Sequence, residues 1–198
     1  MTLRRARSCC RFWIARLWNR LVRLQPVLIG IYPTLVDLGS GFGFYSGVLR
    51  AHADYLVGLD AFAPALRMAK GRKVYDDLIR ADILHLPLRS DRIDCVTLFD
   101  VIEHLSKDDG RKLLGSLEPS VFVSTPNSDL SNRIYARFLG NTLENHISIW
   151  SSREFEGMGY KAGTRTPPLW MSLLDNKGTL FAYRLRSNEA SERAVKQD

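Results

Sequence analysis

The stretch VDLGSGFGFYS, residues 36–46, decides the fold. Three glycines at alternate positions, Gly39, Gly41 and Gly43, follow Asp37 and a short apolar run. Glycine adopts backbone conformations closed to other residues and lets a ligand approach the main chain, so the pattern marks a strand-to-helix turn at a ligand site. Spacing excludes the common phosphate loops. A dinucleotide fingerprint needs its third glycine three places after the second, and that position is Phe44. A P-loop needs Gly-Lys-Ser/Thr, which does not follow.

Outward from this turn, short apolar runs alternate with helical patterns. Strands are expected at TLVDLG (34–39), YLVGLD (55–60), LIRADI (78–83), IDCVTLFD (93–100) and SVFVSTP (120–126). Helices are expected at FYSGVLRAH, PALRMAKGRK and KDDGRKLLGSLE, the last starting at Ser106 with Asp109 three residues on, close to a capping box. Such alternation predicts a parallel sheet with helices on both faces and right-handed crossovers. Two further strand-like runs, YKAGTRT and TLFAYRLR, follow a longer polar region.

Acidic residues recur at the expected strand ends. Asp60 closes YLVGLD, where a carboxylate can accept from both hydroxyls of a ribose lying across the sheet edge. Asp82, in RADILHLP, is placed to accept from the exocyclic amine of a base. Each residue alone is as readily a helix cap or a turn former; their succession is what points to a nucleoside.

The 198 residues suit one α/β domain with a single large core. A net charge of +7 favours anionic partners, among them RNA, acidic lipid or a phosphorylated substrate. Cys9, Cys10 and Cys95 show neither metal spacing nor a disulfide framework, which predicts a cytoplasmic protein. No apolar run reaches the roughly 18 residues of a membrane span. Residues 1–25 stand apart. On a helix, Trp13, Ile14, Leu17, Trp18, Leu21 and Leu24 fill one side and Arg16, Arg20 and Arg23 the other, giving a basic amphipathic helix stopped near Pro26. It either packs on the domain or lies on an anionic membrane surface or an RNA backbone. The domain itself is expected over 26–186, followed by a polar tail at 187–198.

From Thr34 to Arg186 the chain resembles the class I S-adenosylmethionine-dependent methyltransferases. The resemblance implies a Rossmann-like three-layer α/β sandwich, with a mostly parallel seven-stranded sheet and TLFAYRLR as its antiparallel last strand. It implies that Asp37, Gly39, Gly41 and Gly43 seat the methionine part of the cofactor. Asp60 and Ala61 would lie at the ribose, Asp82 and Ile83 at the adenine, and Phe99 beside the cofactor. A nicotinamide oxidoreductase and a catalytically inactive nucleoside-binding module are the competing readings.

The residues after the fourth strand face the reaction in this superfamily. Here they include Asp100, Glu103 and His104, with His146 downstream in NTLENHISIW. One reading gives Glu103-His104 a local hydrogen-bonding role, common among small-molecule members. The other makes Asp100, Glu103, His104 and His146 a catalytic set and a divalent metal site, the oxygen share favouring Mg or Mn. Ubiquinone-biosynthesis O-methyltransferases carry a similar carboxylate and Glu-His arrangement. Small-RNA 3′-terminal 2′-O-methyltransferases carry Glu-x-x-Glu-His, a strand ending in STPN, then a histidine before an aromatic residue. DVIEH, VSTPN and NHISIW follow that order, with Asp100 one methylene short of the usual glutamate, and no RNA-end-binding domain is visible. Asn127, Trp150 and Arg153 are candidates for an acceptor pocket, Trp150 reading as core before platform. The expected acceptor is a small molecule, with RNA as the alternative.

Overall fold

The computed structural model describes residues 30–126, 145–165 and 178–186. The expected N-terminal helix (1–25), Asn127 and the polar tail lie outside them. Seven strands form one sheet: β1 (Tyr32–Leu38), β2 (Ala53–Asp60), β3 (Asp77–Arg80), β4 (Cys95–Phe99), β5 (Ser120–Pro126), β6 (Lys161–Arg165) and β7 (Thr179–Arg184). Their order is β3-β2-β1-β4-β5-β7-β6. Neighbours from β3 to β5 pair in parallel, while β7 runs antiparallel to both β5 and β6, as expected of the last strand.

Alternation of side chains across the strands sorts the core into two faces. Val36, Leu38, Val57, Leu59, Val96, Leu98, Val121, Val123, Leu180 and Ala182 share one cluster. Their odd-step neighbours Leu35, Leu56, Cys95, Phe99, Phe122 and Phe181 share the other. A strand apolar on both faces reads as an almost continuous apolar run, which is why these segments stood out. The helices are α1 (Ser46–Leu49), α2 (Ala63–Gly71), α3 (Lys107–Ser116) and α4 (Ser152–Gly157). On the first face, α3 adds Leu113 and Leu114 and α4 adds Phe155, with Trp150 between them. α3 begins as expected: the Ser106 hydroxyl accepts from the Asp109 N–H at 3.1 Å. α4 has a full capping box between Ser151 and Glu154.

Two elements are shorter than their patterns suggest. The helix expected over 44–52 is a single turn followed by a 3-10 turn at Arg50–His52. Ala53 must already pair with Tyr32 at the start of β2, leaving no room for another turn. β3 ends at Arg80 instead of Ile83. The Asp82 carboxylate accepts the Leu84 N–H at 2.9 Å, and this local turn replaces the strand ladder.

Successive crossovers build β1, β2 and β3 outward in one direction, and the chain then returns to lay β4 on the other side of β1. Open α/β sheets bind ligands at the carboxyl ends of the strands where the order reverses, here β1 and β4. The glycine turn follows β1, and Asp100, Glu103 and His104 follow β4.

Candidate active site

The glycine turn needs its glycines. Gly39, Gly41 and Gly43 have φ of +74°, +52° and +71°. A Cβ on Gly39 would stand 2.5 Å from Cγ2 of Val101, so the β1 and β4 loops touch only because that atom is missing. A Cβ on Gly41 would meet nothing closer than the Gly39 carbonyl at 3.9 Å and would project into open space at the sheet edge. That space can admit a ligand against bare backbone. The turn is tied to β2 by the Gly39 and Ser40 N–H groups, both donating to the Leu59 carbonyl (2.8 and 2.9 Å).

Asp60 holds the turn from the neighbouring strand. Its oxygens accept from the Gly41 N–H at 2.8 Å and the Phe62 N–H at 2.7 Å. A carboxylate offers about four lone-pair positions, so two remain for ribose hydroxyls. Ala61 lies between these contacts in the chain. Asp37 is placed differently from the expected ligand contact. It is buried within β1, accepting from Thr97 (2.9 Å) and Tyr75 (2.6 Å). Burial pushes its carboxyl up to about 6 against the pull of those two bonds, and Tyr75 is held far above the ordinary phenol range by its own burial and by Asp37. Through these two bonds Asp37 ties β1 to Tyr75 and to β4. Asp82 is exposed in the turn after β3, close to His85 as well as to Leu84; its acceptor bond from the Leu84 N–H keeps the carboxyl below the usual range. Ile83 packs against the core, and Phe99 is buried at the end of β4.

On the acceptor side the structure brings together residues 43 positions apart in the chain. Glu103, His104 and His146 each offer an atom within 4.8 Å of the others. The segment from Asn145 to Trp150 is pinned by its backbone, with Ile147 and Ser148 N–H groups both donating to the Glu103 carbonyl (2.9 and 3.1 Å). Trp150 Nε1 donates to the Ile102 carbonyl and to the Ser148 hydroxyl. Trp150 is therefore core, 1% exposed and packed on Phe155. Arg153 is exposed on α4.

Glu103 is buried, its Oε2 accepting from Thr125 at 2.9 Å and its Oε1 lying 3.6 Å from Nε2 of His146. The rings of His104 and His146 meet edge-to-face at 4.7 Å. Nδ1 of His104 lies 3.2 Å from the Asn145 carbonyl. A carbonyl only accepts, so Nδ1 carries a proton here, and in the neutral imidazole Nε2 is the nitrogen with the lone pair. Asp100 stands outside the cluster of three. Its backbone is left-handed (φ +55°), and its carboxylate accepts from the Tyr45 hydroxyl at 2.5 Å. The expected four-residue set is thus a three-residue one with a separate Tyr45–Asp100 pair. Glu103 and His146 line a cavity of about 360 Å³ with Lys107, Pro126, Ile147, Ser148 and Ile149.

Tyr45, Thr125, Lys107 and the two isoleucines were not legible as site residues. Only Tyr45, inside the quoted stretch, had a positional signal.

Residues 36–118 match the family model of a methyltransferase domain, and this span holds the glycine turn, Asp60, Asp82 and the Glu103-His104 pair. Over these residues the chain is similar to methyltransferase domains. Solved structures of methyltransferases share its fold at low identity. A complex of the Haloferax volcanii Trm112 methyltransferase activator with a methyltransferase aligns over 89% of this chain and 92% of its own, at 15% identity and TM-score 0.65. The small RNA methyltransferase HEN1 aligns over 91% of this chain and 25% of its own, at 22% identity and TM-score 0.57. DhpI in complex with S-adenosylhomocysteine aligns over 89% and 87%, at 16% identity and TM-score 0.63. No curated protein matches the sequence. Among the described residues, no helix is long and apolar enough to cross a membrane.

Proposed function

We propose that this protein methylates a hydroxyl of a small-molecule acceptor, with Glu103, His104 and His146 as the acceptor-side machinery. The observation that carries this reading is the convergence of the three side chains beside a cavity at the same sheet edge as the glycine turn. S-adenosylmethionine, bound along that turn, supplies a methyl group on a sulfonium, activated without further chemistry from the protein. The chain's own task is to align the hydroxyl with the methyl and to take up its proton. Nε2 of His104 has the free lone pair for that proton. Glu103, buried at 3.6 Å from His146, stabilises a neighbouring imidazolium once it forms.

A second reading is favoured by the same cluster. One carboxylate and two imidazoles could hold a cation, and that ion would lower the pKa of the acceptor hydroxyl. The donor set has lost the oxygen share that pointed to Mg. Two nitrogens and one carboxylate suit Mn, Fe or Zn better. In this version the acceptor is the 2′-hydroxyl at an RNA 3′ end, a reading supported by the order of DVIEH, VSTPN and NHISIW and by the fold likeness to HEN1.

Incubating the full chain with methyl-labelled S-adenosylmethionine and the small-molecule, lipid and RNA fractions of a cell extract distinguishes the versions. Label is expected in the small-molecule fraction, undiminished by chelator. His104→Ala and His146→Ala are each expected to lower transfer by at least about 10²-fold with cofactor affinity unchanged. Loss of transfer with chelator, restored by Mn or Zn, supports the cation version. Label in RNA alone overturns the small-molecule acceptor. Failure to bind S-adenosylmethionine in calorimetry overturns both.

A further inference from the structure

Resting on that reading, we propose that the acceptor is a phenolic or enolic hydroxyl on an apolar body, and that Ile147 and Ile149 select it. The segment Asn145–Trp150 alternates in burial. His146, Ser148 and Trp150 point inward, while Ile147 and Ile149 are 64% and 46% exposed. Single exposed isoleucines are ordinary on a protein surface. These two are held in register by the bonds of Ile147 and Ser148 to the Glu103 carbonyl, and both line the cavity that contains Glu103 and His146. Pro126 adds a third apolar wall.

The cavity therefore has a carboxylate–imidazole pole and an apolar flank. About 360 Å³ lies at the small end of ligand pockets, enough for one ring and a short substituent. Lys107 offers little for a phosphate. Its ammonium is paired with Glu154 and lies 5.1 Å from the centre of the Trp150 ring. Electrostatics of the chain agree. Residues 1–25 hold seven arginines and no acidic residue, so they carry the whole net charge of +7, and residues 26–198 balance basic against acidic side chains. A polyanion has no surplus charge to meet on the domain itself.

The hydroxyl type follows from the base. An imidazole takes a proton from a phenol, whose pKa is about 10, far more readily than from an aliphatic alcohol. In the step, the phenol proton passes to the imidazole Nε2 and the oxygen–methyl bond forms. The sulfur–methyl bond breaks with its electron pair going to sulfur, leaving a neutral thioether. No further reactant is needed.

The test uses the full chain, labelled S-adenosylmethionine, and the probes phenol, 4-ethylphenol and 4-butylphenol, with binding measured by calorimetry in S-adenosylhomocysteine alongside turnover. Affinity is expected to rise with the substituent by up to about 4-fold per methylene, the value of one fully buried CH₂. In the double variant Ile147→Ser, Ile149→Ser this dependence should flatten, with the thermal transition and cofactor affinity unchanged because both side chains face solvent. Equal affinity along the series, the same slope in the double variant, no binding of any probe, or preferred methylation of an RNA oligonucleotide each overturns the proposal. Loss of cofactor binding in the native chain would instead overturn the methyltransferase reading beneath it.

Discussion

Asp60 shows how one side chain can serve the fold and the ligand together. Its carboxylate accepts from two backbone N–H groups of the turn and its flank, and it has lone pairs left over for a ligand. Asp60→Ala is expected to weaken S-adenosylmethionine binding by on the order of 2–3 kcal/mol, since charge-assisted bonds contribute about 1.5–3 kcal/mol each and water replaces part of them. Unchanged affinity in calorimetry would remove Asp60 from the ribose. Asp37 gives a pH signature. Its carboxyl, ordinarily at 3.8, is raised by burial to about 6 in the folded chain, which therefore holds this proton more tightly than the unfolded chain. The stability it contributes is full below the unfolded value and is lost as pH rises through about 6, a change on the order of 3 kcal/mol. Asp37→Asn should remove that slope from urea midpoints measured between about pH 4 and 7; parallel curves would contradict the assignment. At this scale the left-handed backbone of Gly39, Gly41 and Gly43 and the strand-end place of Asp60 were legible in the sequence, because both follow from residue type and position. The hydrogen-bond partners of Asp37 and Asp100, which are Tyr75, Thr97 and Tyr45, were not legible because they are distant in the chain.

Among the elements, α3 carries an unusual interior residue. Gly110 sits against Trp150, and a Cβ there would approach Cζ2 of the indole to 2.6 Å. Alanine in a helix is ordinarily better than glycine by about 0.8–1 kcal/mol. Here overpacking against a buried ring, at about 1–3 kcal/mol, should win. Gly110→Ala is therefore expected to lower stability in denaturant. It should also reduce methyl transfer, because Trp150 anchors the segment that presents His146. A stabilised variant would show that the indole yields freely. The central strands β1, β2, β4 and β5 were readable because they are apolar on both faces, whereas the ends of α1 and β3 were not. A pairing partner set the first and a side-chain turn the second, and neither leaves a periodic trace. The approach of His146 to Glu103 and His104 was expected from their pattern in the sequence, whereas the main-chain bonds of Ile147 and Ser148 to Glu103 that fix it leave no such trace.

In the whole molecule, charge is distributed as two blocks, a basic first segment and a balanced remainder. We expect deletion of residues 1–25 to leave cofactor affinity within a few-fold and to abolish sedimentation with anionic vesicles, whose attraction is on the order of 1 kcal/mol per basic residue. A truncated chain that fails to fold would make the segment part of the core instead.

The reversal of strand order between β1 and β4 also divides the chain by inheritance. Everything proposed to hold the methyl donor's ribose and adenine precedes β4, and everything proposed to handle the acceptor follows it. A recombinant joining the first half of this chain to the second half of a relative would inherit one specificity from each parent. Among the side-chain links that cross that junction are Thr97 to Asp37 and Tyr45 to Asp100. The first lies inside the sheet, but the second joins the two working loops, so Tyr45 and Asp100 have to be inherited as a pair.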